Sequence, residues 1–107
     1  MGARTPSVAI IIISWNTRDL LRTCLESLQR AAVCESVEVL VVDNGSVDGS
    51  SVMCEAVFPW VLLIRNGANL GYGVANNLGI GSTKAEFCLL LNSDTIVEPN
   101  ARSEEHT

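Results

Sequence analysis

An excess of positive charge is the first thing this chain lacks. Seven lysines and arginines stand against twelve acidic residues, a net charge of −5 over 107 residues. A nucleic-acid backbone or an anionic membrane surface would not attract such a chain, which argues against both as partners. A nucleotide is a different matter, because a metal ion and backbone N–H groups hold phosphate without a basic surface. Long apolar runs are missing too. The longest, Val8–Ile13, is far short of the roughly 20 residues a membrane helix needs. The first residues do not read as a signal peptide, since only Arg4 precedes a short β-branched segment and no small-residue cleavage site follows. Pro6 stands where a myristoylation signal needs Ser or Thr. The four cysteines, Cys24, Cys34, Cys54 and Cys88, include no CxxC pair, so the usual zinc signature is absent. Cys24 and Cys88 fall on apolar faces and read as small core residues. A reduced, cytoplasmic setting is expected.

What is present is a core-forming sequence, 48% hydrophobic, of a length suited to one domain. Ser7 to Ser14 is a continuous β-branched run, the pattern of a strand covered on both faces. A helical pattern follows, with Leu20, Leu21, Cys24, Leu25 and Leu28 on one side. Asn16 is placed to cap it and Asp19 to favour the positive end of its dipole. A second strand is expected over Val37 to Val42, ending on Asp43-Asn44-Gly45-Ser46. A short helix through Val52, Met53 and Val57 comes next, closed by Pro59. The third strand, Val61 to Ile64, ends on Arg65-Asn66-Gly67, and a helix about Tyr72 to Ser82 leads to a last apolar run, Phe87 to Leu91. That run stops abruptly on Asn92-Ser93-Asp94 and reads as a buried strand.

The order β-α-β-α-β-α-β, with strands twenty to thirty residues apart, predicts a mostly parallel sheet with helices on both faces. Four polar clusters then fall just past the carboxyl ends of the strands: Ser14-Trp15-Asn16, Asp43 to Ser46, Asn66 to Asn69, and Asn92 to Asp94. Ligands of open α/β sheets bind on that rim. Asp43, leaving a buried strand, suits ribose hydroxyls or a base N–H. Trp15 is a candidate stacking platform. Asp94 is the first choice for metal or phosphate chemistry, since hard cations take one or two carboxylates and complete their shell with phosphate oxygens. Gly71 and Gly73 open a helix whose N-terminus favours anions. Asn76 stands where a dinucleotide fingerprint needs its third glycine, and no Gly-Lys-Ser/Thr follows to make a P-loop.

As a set, Ile11 to Asn16, Val41 to Ser46 with Asp48-Gly49, Asn69-x-Gly71-x-Gly73-x-Ala75-Asn76-Asn77-x-Gly79, and Leu90 to Asp94 resemble the N-terminal half of family 2 glycosyltransferases with the GT-A fold. The likeness is nearest to the rhamnosyltransferase-like branch, whose last motif commonly reads Asn-Pro-Asp where Ser93 stands here. The resemblance implies a truncated, Rossmann-like nucleotide-binding half spanning residues 1–101. It implies a divalent cofactor, Mn²⁺ or Mg²⁺, held by Asp94, and a dTDP-, UDP- or GDP-sugar donor. Trp15 would stack on the base, with Ser14 and Asn16 nearby, and Asp43 would bond base or ribose. Gly71, Gly73 and Asn76 would line the donor site. Asn92 takes the first position of the family's Asp-x-Asp motif in place of an acid, and Asn76 replaces an arginine that many relatives carry. The implied reaction is inverting transfer to an acceptor hydroxyl of a glycan or lipid-linked acceptor. Its base is expected downstream, with no catalytic residue in this chain. The expected setting is the cytoplasm, at the inner face of the membrane if the full-length protein associates with one. Residues 102–107, without periodicity, read as a non-native tail, and the natural protein is expected to continue past Asn100. A non-catalytic nucleotide-binding domain and a sugar nucleotidyltransferase are the competing readings. The latter wants a basic Gly-rich loop after its first strand. A phosphoacceptor receiver domain wants an acidic pair where Ser14-Trp15-Asn16 stands.

Overall fold

The computed structural model of the chain describes residues 7–31 and 37–97. Cys34 and the tail assignment at 102–107 lie outside that range. The elements run β1 (Val8–Ser14), α1 (Arg18–Arg30), β2 (Glu38–Asp43), α2 (Ser50–Val57), β3 (Leu62–Arg65), α3 (Tyr72–Gly81) and β4 (Phe87–Asn92). The predicted order is therefore found, with β2 and β3 each displaced one residue toward the C-terminus. That shift makes Asp43 the last residue of a strand rather than the first of a turn.

All three strand pairings are parallel, in the order β3-β2-β1-β4. The chain steps outward from β1 to β3 and then returns to the other side of β1, so the switch point lies between β1 and β4. Alternation along β1 divides the core. Ile10 and Ile12 pack with Leu21, Cys24, Leu25 and Leu28 of α1 and with Cys54 and Phe58 at α2. Ala9 and Ile11 point the other way, against Leu40, Val42 and Ala75. Each fully buried isoleucine or leucine contributes about 1.5–3 kcal/mol, and this explains why the central strands need no polar face. α3 comes close to the sheet because Gly79 has no side chain: a Cβ there would sit 2.7 Å from Ile11 Cγ2.

The helical faces differ from the sequence expectation in two places. Leu20 is half exposed, since it lies beside the α1 stripe rather than in it. In α2, Val52 and Val57 face solvent, and Cys54 with Phe58 just past the helix carries the packing.

The larger correction concerns β4. It pairs with β1 on one side only, and it stands at the sheet's edge instead of in its interior. Phe87 is 67% exposed and Leu89 53%, although the run is as apolar as β1. Cys88 is only partly buried, unlike Cys24, which is fully enclosed. An apolar run shows that a strand is suited to burial, but what covers it is a property of the assembled layers. Among the described residues no helix is long and apolar enough to cross a membrane.

Candidate functional site

The rim is built on β2, β1 and β4 side by side. Ser14 is in register with Asp43, and Ile13 with Asn92. Neighbouring strands lie about 4.8 Å apart, so the backbones of Asp43 and Asn92 are separated by about 10 Å, with β1 between them.

Asp43 is 4% exposed. Its Oδ2 accepts the Ser46 N–H at 3.2 Å, and its Oδ1 is buried without a hydrogen-bond partner. A desolvated carboxylate oxygen in that condition is costly unless something donates to it. Trp15, one residue past Ser14, is 51% exposed at the same rim, where its ring is open to a ligand. Ser14 itself is buried, and its hydroxyl shares a hydrogen bond with Thr17 Oγ1, which in turn donates to Ser93 Oγ, both at 3.2 Å. This hydroxyl chain ties the ends of β1 and β4.

Asn16 does not cap α1. The N-cap is Thr17, which makes no side-chain cap bond. Asn16 adopts a left-handed φ of 52°, donates its N–H to Ser46 Oγ and accepts the Val47 N–H on Oδ1, both at 2.8 Å. The α1 end is capped from another loop, by Asp48 Oδ2 accepting the Arg18 N–H at 3.0 Å. The other oxygen, Oδ1, accepts the N–H and hydroxyl of Ser50 at the start of α2. Slight burial pushes the Asp48 carboxyl up. Hydrogen bonds from the Ser50 hydroxyl, the Arg18 and Ser50 N–H groups and its own N–H outweigh that and hold it below the ordinary value of 3.8.

Sequence reasoning passed over Asn44, which proves to be the hub of the rim. It is 2% exposed and fully satisfied. Its Nδ2 donates to Asn69 Oδ1 at 2.9 Å and to the Gly71 carbonyl at 3.4 Å. Its Oδ1 accepts from Asn66 Nδ2 at 3.0 Å and from the Leu70 N–H at 3.1 Å. The β3–α3 loop is thus fastened to the end of β2. The available signal was the recurrence of asparagine past two successive strands.

Gly71 is the N-cap of α3 and Gly73 lies in its first turn, where a Cβ at either would meet nothing within 4 Å. Asn76 faces inward on α3, 9% exposed, with Oδ1 buried and unpartnered. It packs on the sheet face opposite α1 and α2, away from the Asp43 side chain. Asn92 and Asp94 are exposed at the end of β4. Asp94 lies near α1: burial first, and the Asp94 carboxylate second, push the Cys24 thiol up to about 11. Cys54 reaches about 11 through burial, then Asp43, with Arg65 opposing and Glu55 adding. No group of three potential metal ligands occurs among the described residues. Asp94 is a lone, accessible carboxylate at this corner of the rim. The rim is an open ledge. The cleft of about 430 Å³ beside it is lined by Asn16 to Leu20 and Asp48, and not by Trp15, Asp43 or Asp94.

A parallel sheet ordered 3-2-1-4, with helices on both faces and polar loops gathered at one rim, defines a Rossmann-like α/β fold. The chain belongs to glycosyl transferase family 2, whose sequence profile matches residues 9–105. It is 34% identical over 99 residues to the succinoglycan biosynthesis protein ExoO of Rhizobium meliloti, covering 91% of this chain and 28% of that one. It is 37% identical over 73 residues to the N-acetylglucosaminyl-diphospho-decaprenol L-rhamnosyltransferase of Mycobacterium tuberculosis, covering 68% and 24%. In three dimensions it superposes on S. aureus TarS 1–349 in complex with UDP-GlcNAc, with a TM-score of 0.79 and 21% identity over 94% of this chain and 30% of that one. It also superposes on the mannosyltransferase PcManGT from Pyrobaculum calidifontis in complex with GDP-Man and Mn²⁺, with a TM-score of 0.76 and 21% identity over 87% and 29%. The chain spans less than a third of the length of these relatives.

Proposed function

We propose that this chain is the donor-binding half of a glycosyltransferase acting in cell-surface polysaccharide or glycolipid synthesis. The whole protein would transfer a sugar, with inversion, from a nucleotide diphosphate to an acceptor hydroxyl on a glycan or lipid-linked acceptor. The observation that carries the reading is the buried Asp43 oxygen without a partner, at the rim beside an exposed Trp15. With the loop over it opened to admit the ligand, a base N–H or ribose hydroxyl would supply the missing donor to this buried oxygen, and the indole offers a face for the same nucleoside.

The diphosphate would then run along the rim toward β4, where Asp94 would hold a divalent ion. When bound, that ion neutralises charge on the leaving diphosphate. Asn92, neutral where many relatives carry an acid, keeps hydrogen-bonding capacity for ribose but adds no charge to the metal corner. The base that accepts the acceptor's proton belongs to the part of the protein beyond this chain, so the chain alone would bind nucleotide without turning it over. Family membership and the nucleotide-sugar complexes of TarS and PcManGT support the donor class. The free thiols of Cys24, Cys54 and Cys88 suit the cytoplasmic setting we propose.

Calorimetric titration of the full-length protein with UDP, dTDP and GDP, with and without Mn²⁺, tests this. The expected result is metal-dependent binding of one nucleotide. Asp43→Asn should weaken it about tenfold or more, the scale of a hydrogen bond to a charged group, and Asp94→Ala should remove its metal dependence. Absent or metal-independent binding overturns the proposal.

A further inference from the structure

We infer that Asp48 is a positioning residue, which sets the attitude of the Trp15 turn relative to Asp43 by capping two helices at once. The inference rests on the donor reading above. Neither α1 nor α2 has a side-chain cap of its own: Thr17 and Gly49 occupy the N-cap positions and neither makes the bond. Asp48 serves both, taking the Arg18 N–H on one oxygen and the Ser50 N–H and hydroxyl on the other. A helix start leaves its first N–H groups without intrahelical partners, so the bonds from the Arg18 and Ser50 N–H groups each answer a real deficit. The two helices belong to successive βα units, and one carboxylate joins them.

Three further bonds close the same seam. The Asn16 N–H reaches Ser46 Oγ and Asn16 Oδ1 receives the Val47 N–H. The Arg18 guanidinium donates to the Asp48 carbonyl at 3.4 Å. The left-handed backbone of Asn16, a conformation asparagine adopts more readily than other side-chain-bearing residues, is gripped by the β2–α2 loop through both its N–H and its side chain. Trp15 is covalently next to this clasp, and Asp43 leads directly into the loop that forms its other side. The indole of Trp15 is half exposed. Its orientation comes from the turn that carries it, and the turn is held by Asp48, Asn16 and Ser46. A base that stacks on Trp15 while bonding Asp43 in its own plane needs those two groups at a constant angle. Loosening the clasp therefore weakens binding through groups that never touch the ligand.

The test uses the full-length protein and whichever of UDP, dTDP and GDP it binds, with affinity from calorimetry and hydrogen exchange read on the Trp15–Leu20 peptide. Asp48→Ala is expected to weaken affinity about tenfold and to accelerate exchange in that peptide. Asp48→Asn keeps one acceptor oxygen and should show a smaller loss of the same kind, and it serves if the alanine variant fails to fold. Ile12→Val, a core change at a residue buried on the α1 face, controls for stability: it is expected to lower the melting temperature while leaving affinity within twofold. Binding that survives both Asp48 variants, or falls no further than in Ile12→Val at an equal loss of melting temperature, overturns the positioning role alone. A wild-type protein that binds none of the three nucleotides overturns the donor reading and this inference with it.

Discussion

Replacing Gly45 by alanine probes whether the rim is assembled as described. Gly45 has a φ of +88°, and a Cβ there would lie 2.8 Å from the Ala68 carbonyl carbon, 2.9 Å from its Cα and 3.1 Å from the Asn69 nitrogen. Two penalties follow. The left-handed backbone costs an L-residue about 1–2 kcal/mol. The contact is with main chain, not with a side chain that could swing away, so relief requires the β3–α3 loop to move, at about 1–3 kcal/mol. Against these, alanine restricts the unfolded chain and returns about 0.4–1 kcal/mol. The net expectation is a loss of about 1–4.6 kcal/mol. Two other glycines separate the contributions. Gly49 shares the positive φ, at +86°, but its nearest neighbours are Arg18 side-chain atoms at 4.0 Å, so Gly49→Ala should lose about 0–1.5 kcal/mol from backbone strain alone. Gly67 has nothing within 4 Å and no positive φ, and its alanine variant should be neutral within about 0.5 kcal/mol. Urea unfolding followed by tryptophan fluorescence orders the three, with an unchanged denaturant slope licensing the comparison. Hydrogen exchange should show Asn66 to Gly71 loosened in Gly45→Ala only, because moving Ala68 draws the Leu70 N–H away from Asn44. If Gly45→Ala is no more destabilising than Gly49→Ala, the close approach of the two rim loops is wrong.

Two further outcomes are expected. Asp48 has its carboxyl held below the ordinary value of 3.8 in the folded state, so its contribution to stability is complete above that unfolded value and disappears as pH falls through the lower folded one. Unfolding measured from pH 5 down to pH 2.5 should accordingly show a shallower acid loss in Asp48→Asn than in wild type, and identical slopes would contradict the double cap. Cys24 and Cys54, with thiols pushed up to about 11, should resist iodoacetamide at pH 8 in the native protein and react fully in urea; peptide mapping that finds either one alkylated rapidly without denaturant would show that its burial is wrong.

Much of the fold was legible because it is encoded locally. Ile10 to Ile13, short and β-branched, reads as a strand suited to burial, and the abrupt stops at Ser14, Asp43 and Asn92 mark strand ends whatever the strand order. The rim of polar residues follows from those stops once the strands run parallel. Asp43, Trp15 and Asp94 were identifiable as candidates on this ground alone. Burial of β4 was not legible, since its sequence is apolar whether it lies at an edge or within a sheet.

The sequence by itself determined the element types, their order and the side of the sheet on which the polar loops gather, since periodicity and chain polarity are properties of neighbouring residues. Only the tertiary structure decided which partners each rim residue bonds. Asn16 was equally suited to cap the helix after it or to bond a loop thirty residues on, and packing of the β2–α2 loop settled that choice. Asp48 as a shared cap, Asn44 as a hub and the unpartnered Asp43 oxygen are likewise outcomes of contacts between separate βα units. A side chain's hydrogen-bond capacity is written in its identity, but the partner that uses it exists only once the strands are laid side by side.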